Sequence, residues 1–225
     1  MRAAENLGRF TPTPTATPSY TSSTDSSPTP ASAPPSATLA DSDSAMTDPA
    51  IVGAVDVHYD DHGHARAALV VCAGLTFSTV LSEHVEVIER VDPYEPGALY
   101  KRELPCIQAV LALGPHLDLL VVDGYATLDH QGRPGLGAHA AEALGIPVIG
   151  VAKTAFRTAT HAAEVVRGTA MRPLYVTAAG GLTTINAARI VTEMAGQHRV
   201  PTALARVDSL ARGRVTPMSE PRRRQ

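Results

Sequence analysis

The stretch "LDLLVVDG", residues 117–124, decides the architecture of this chain. It is apolar almost throughout and shows no alternation, the mark of a central strand covered on both faces. Upstream, residues 97–113 carry apolar side chains at 99, 104, 107, 110, 111 and 113, a helical spacing disturbed by Pro105. Further upstream, residues 51–59, 65–72 and 76–91 read as three strands, the first two joined by the short turn "DDHGH". Short turns join antiparallel neighbours, because a parallel pair needs a long crossover. Downstream come a helix at 135–145, a buried strand at 146–153, a last strand at 172–181, and helices near 183–195 and 201–212. The expected fold is α/β: a mixed sheet in which an antiparallel three-strand meander is followed by parallel strands, with helices on both faces.

Outside this block the composition changes. Residues 11–45 hold 24 Ser, Thr or Pro among 35, with one aromatic side chain and one large aliphatic one. Such a segment buries too little apolar surface to offset its ordering entropy, so residues 1–48 are expected to be a disordered tail. The folded domain is expected over 50–213, followed by a basic, flexible end at 214–225. No apolar run is long enough to span a membrane. The two cysteines, without metal-site spacing or an export signal, suggest buried thiols in a reducing cytoplasm. Charge is uneven: residues 51–198 carry 10 Lys and Arg against 15 Asp and Glu, whereas 199–225 carry seven Arg against two acids. An acidic centre with a basic end suits a metal site serving a polyanion, and a solvated basic tail gives the same pattern.

Asp56 sits in the middle of an apolar strand and Asp123 ends another. Carboxylates there are costly unless paired or bound to metal. Asp-Gly after a strand is also ordinary turn chemistry. Adjacent central strands would bring both acids to one edge of the sheet, with Glu103 arriving from the helix that follows strand three. Three converging carboxylates repel one another, and a divalent cation removes that penalty; oxygen ligands favour Mg²⁺ or Mn²⁺. Such a site suits metal-assisted phosphodiester hydrolysis, with Lys153 meeting phosphate charge just after a buried strand.

The strings "VDVHY", "PYEPGALYKRELP", "DLLVVDG", "GLGAHAAEALGIPVIGVAK" and "YVTAAGG", in that order, resemble the endonuclease V family, inosine-directed nucleases of ribonuclease H-like fold. The resemblance implies that Asp56, Glu103 and Asp123 bind the metal and are catalytic with Lys153. It implies that Tyr94, between Pro93 and Pro96–Gly97, is the wedge separating nucleic-acid strands. Gly124, His130, Arg133 and Arg206 are implied nucleic-acid contacts, and His139 matches a family histidine. The implied activity is Mg²⁺-dependent cleavage of deoxyinosine-containing DNA, or inosine-containing RNA, at the second phosphodiester 3′ to the lesion. The implied protein is a cytoplasmic monomer with no membrane partner.

Two departures stand out. Gly181 occupies the place of a histidine that the resemblance puts close to the metal, and the segment between Lys153 and the late strand is short. They motivate two other readings: a weakly or non-catalytic nucleic-acid-binding relative, and a nuclease of different specificity. Retention of all three acids speaks against pure binding, since such a module has no use for a repulsive cluster.

Overall fold

The computed structural model describes residues 49–93, 95 and 98–218. The tail expected at 1–48 and most of the expected basic end therefore lie outside the described residues. The described residues build one seven-stranded mixed sheet in the order β3-β2-β1-β4-β5-β7-β6. β1 (Ile51–Tyr59), β2 (Ala65–Ala73) and β3 (Thr79–Ile88) form the antiparallel meander. α1 (Leu99–Leu111) then carries the chain back so that β4 (Leu119–Asp123) lies parallel to β1. α2 (Leu136–Leu144) does the same for β5 (Val148–Ala152), parallel to β4. The strand at 117–124 is central, as its unbroken apolarity predicts.

The last part of the sheet differs from the simplest extrapolation. Residues 153–173 hold no helix, only the short strand β6 (Ala163–Val165), so nothing returns the chain to the far end of the sheet. β7 (Leu174–Ala179) accordingly runs antiparallel to β5, with Tyr175 opposite Ala152 and Ala179 opposite Val148. β6 has no periodic signal; it pairs with β7, and Val165 joins the core beside α3. α3 (Thr184–Glu193) and α4 (Thr202–Ala211) follow β7.

Two apolar layers cover the sheet. Val52, Ala54, Val121 and Ile149 face Val191, Val207 and Leu210 of α3 and α4. Val55, Leu69, Leu120 and Val122 face Ile107 and Val110 of α1 and Ala140 of α2. Burying a Val or Leu side chain contributes about 1.5–3 kcal/mol, and this double layer holds β1 and β4 as rigid rails. Pro105 lies inside α1, where it removes the bond to the carbonyl of Lys101 without ending the helix. Among the described residues no helix is long and apolar enough to cross a membrane.

Candidate active site

Parallel pairing of β1 with β4 sets Val55 beside Val122, so the next residues, Asp56 and Asp123, come side by side where both strands end. Side chains alternate along a strand. Asp56 therefore shares a face with Val52 and Ala54, and Asp123 with Leu119 and Val121, the face on which α4 packs. α4 adds a third carboxylate, Asp208. One oxygen from each of Asp56, Asp123 and Asp208 lies within 4.8 Å of the others. Glu103 approaches from α1 on the opposite face.

The electrostatics follow from this crowding. Burial, then repulsion from Asp123, pushes Asp56 up to about 6, although Lys153 and the Val57 N–H oppose the rise. The Val57 N–H donates to Asp56 Oδ1 at 2.9 Å. Burial again comes first for Glu103, followed by the charges of Asp56 and Asp123, and its carboxyl rises to about 7. Lys153 follows β5 and donates to Asp123 Oδ2 at 2.6 Å, with Asp208 Oδ1 3.7 Å away. Burial lowers the Lys153 pKa, but its bond to Asp123 and the surrounding carboxylates outweigh that and raise it.

Two residues serving this centre escape a reading of the sequence. Asp208 is one; its only local signal is a charge beside Val207 within the apolar rhythm of α4. Arg199 is the other: its guanidinium donates to the carbonyls of Lys153 and Pro173, the latter at 2.7 Å. It ties down both ends of the 153–173 excursion and so fixes the backbone from which Lys153 projects.

Beside the acids lies a cavity of about 470 Å³ whose wall includes Tyr100, Glu103, Asp123, Gly124, Tyr125 and Phe156. Its floor depends on Gly150. A Cβ there would sit 2.2 Å from the backbone nitrogen of Ala126 and 2.7 Å from the carbonyl oxygen of Gly124, so only glycine lets the 124–126 segment cross β5. The Tyr125 hydroxyl donates to the Thr154 carbonyl at 2.8 Å and accepts from the Phe156 N–H at 2.9 Å. Tyr100 stacks on His139, ring centroids 3.6 Å apart.

The remaining expected contacts divide. Gly124 lines the cavity, His130 is exposed, and Arg133 is exposed and paired with Asp129 at 3.3 Å. Pro93 is exposed, while Tyr94, Pro96 and Gly97 lie outside the described residues. Arg206, expected at a phosphate, is instead bound through two nitrogens to the buried carboxylate of Glu83, both at 2.7 Å. It faces β3 because α4 turns Asp208, not Arg206, toward the acids. Gly181 is also not where the sequence comparison placed it. β7 runs away from the acids, so position 181 lies at the opposite end of the sheet; a Cβ on its neighbour Gly180 would crowd Ile146 and Pro147.

The sequence profile described as Endonuclease V matches residues 36–209. The chain belongs to the endonuclease V family. Endonuclease V of Streptomyces coelicolor is 34% identical over 182 residues, covering 72% of this chain and 77% of the relative. That of Streptomyces avermitilis is 31% identical over 181 residues, covering 72% and 79%. The crystal structure of the S. avermitilis protein superposes with a TM-score of 0.62 at 28% identity, covering 74% of this chain and 84% of that one. A Ciona intestinalis endonuclease V, solved with DNA containing an inosine, shares the fold at a TM-score of 0.64 and 20% identity, covering 75% and 86%. The mixed sheet is thus the ribonuclease H-like fold of endonuclease V, and membership supports a nuclease acting on deaminated nucleic acid.

Proposed function

We propose that this endonuclease V relative is a Mg²⁺-dependent endonuclease, with Mn²⁺ able to substitute, that cuts DNA or inosine-bearing RNA at the second phosphodiester 3′ to an inosine in repair of deaminated nucleic acid. The observation that carries the reading is the convergence of Asp56, Asp123 and Asp208 within 4.8 Å at the end of a covered sheet. The donors are all carboxylate oxygens, which suits a hard divalent cation. The burial of the Asp56 carboxylate and its repulsion by Asp123 are what such an ion relieves. Asp56, Asp123 and Asp208 would hold it directly, with Glu103 adjoining from α1. When bound, the ion supplies a polarised phosphoryl oxygen and a water of lowered pKa.

The chain's own groups do the rest. The Lys153 ammonium, held between Asp123 and Asp208, stays protonated and offers positive charge to the phosphate as charge builds there. The Glu103 carboxyl, raised to about 7, exchanges its proton near neutral pH and is suited to accept one from the attacking water. The neighbouring cavity of about 470 Å³ falls within the ~300–1,000 Å³ of small-ligand pockets. Its apolar and aromatic lining suits a base turned out of the stack, shielded from water by Leu99, Leu128 and Phe156. All the acids and the lysine come from one chain, so a monomer suffices. The two cysteines are free and buried, as suits a reducing cytoplasm.

The deciding experiment is cleavage of a labelled duplex carrying one deoxyinosine, with Mg²⁺, beside an unmodified duplex and the Asp56→Ala protein. A cut one nucleotide past the inosine, absent with Asp56→Ala, supports the reading. Equal cutting of both duplexes removes inosine recognition, and no cutting removes the nuclease.

A further inference from the structure

A second cavity, of about 360 Å³, opens on the other side of the acids, between the β1–β2 turn and the end of α4. We infer that it is a binding site for a backbone phosphate of the cut strand, on the side of the scissile bond away from the base cavity. This rests on the nuclease reading above. His58 lies two residues beyond Asp56 on the same strand face and lines the cavity with Arg66 and Arg212. Arg212 joins the two places: its Nε lies 3.1 Å from Asp208 Oδ1 while its side chain forms part of the cavity wall. Arg66 donates through Nε to the Leu210 carbonyl at 2.9 Å, which fixes the plane of its guanidinium. Among the described residues, these bonds use one nitrogen of each arginine and leave the terminal nitrogens for an anion.

Among the described residues the one acid in the wall is already satisfied. Asp60 Oδ1 accepts from the backbone N–H of His62 and of His64, both at 2.9 Å, and Oδ2 meets His64 Nδ1 at 2.8 Å. Among the described residues the site therefore presents the Arg66 guanidinium, which has no acidic partner, the terminal nitrogens of Arg212, whose charge is shared with Asp208, and the His58 imidazole. Forked guanidinium donors match phosphate oxygens. Topology supplies the direction. The base cavity is built on β4 and the loop after β5, the cationic one on β1, β2 and β3, and the sheet order puts these on opposite sides of the Asp56–Asp123 pair. A strand that leaves its base in the first cavity and crosses the acids runs into the second. Because the proposed cut lies 3′ to the inosine, the phosphate received there is 3′ to the cut.

The test uses the full chain in an Asp56→Ala background and an inosine-containing strand. Its phosphates are replaced one at a time by neutral methylphosphonates, with binding measured against salt. With Arg212 present, one replacement 3′ of the cut should weaken binding by about tenfold or more. With Arg212→Gln, that position should become indifferent, and the slope of log K against log salt should fall by about 0.9 on a duplex or about 0.7 on a single strand. His58→Ala should show the same position-specific loss and guards against misfolding of the arginine variant. A merely structural role would weaken binding evenly at every replaced phosphate, and that result overturns the inference. So does sensitivity confined to phosphates 5′ of the inosine, or failure of the strand to bind. Inosine-directed cutting without the position-specific effect would remove this subsite and leave the nuclease. The effect without cutting would do the reverse.

Discussion

Replacing Asp56 by Asn should make the ion-free protein more stable while removing its activity. The folded state holds the Asp56 carboxyl at about 6 against 3.8 for the free side chain, because it is buried and faces Asp123. Between those values the folded chain binds the proton that the unfolded chain has released. Stability therefore falls as pH rises through this window, which is the sense required for an acid with a raised pKa. At about 1.36 kcal/mol per pKa unit, the charge on Asp56 costs on the order of 3 kcal/mol at pH 8 and under about 1 kcal/mol at pH 4. Asn keeps an oxygen to accept from the Val57 N–H, so the local backbone bond survives the exchange. Urea unfolding in EDTA should show Asp56→Asn stabilised at pH 8 by roughly that amount relative to the original chain, with the gain shrinking toward pH 4. Adding Mg²⁺ should then raise the stability of the original chain and leave the variant nearly unchanged, since a ligand stabilises only the form that binds it. An equal effect at both pH values, or destabilisation at pH 8, would refute the view that these acids are held in mutual repulsion for a cation.

Asp208→Asn should lower turnover on the order of 100-fold or more and raise the Mg²⁺ concentration needed, read from initial rates across a Mg²⁺ titration. Gly181→His should leave the cleavage rate unchanged, because β7 carries that position away from the acids; it should cost about 1–2 kcal/mol, measured by urea unfolding, because φ there is +84°. Arg206→Ala should destabilise the fold by about 3–5 kcal/mol, since it leaves the Glu83 carboxylate buried without its partner, and should not change the salt slope of nucleic-acid binding.

These outcomes trace what was legible in the chain. The sheet was readable because its signals are local: the unbroken apolar run at 119–122 demands cover on both faces, and the short "DDHGH" turn forces β1 and β2 to be antiparallel. Asp56 and Asp123 were readable for the same reason, as charges standing in apolar strands. The short strand β6 was not, because three residues carry no period and gain their pairing only from β7.

By itself, then, the sequence determined the central strands, the family, and the acids that stand out against apolar neighbours. Tertiary structure alone decided which other groups meet them. Asp208 looks like any surface acid of an amphipathic helix until α4 lies across β1, and Arg206, two residues earlier, turns to Glu83 instead. The direction of β7 likewise sent Gly181 to the far end of the sheet, although its neighbours in sequence match the family. The physical reason is common to all three. A strand's burial is written in its own residues, whereas the placing of one helix face or one strand direction depends on packing between segments far apart in the chain.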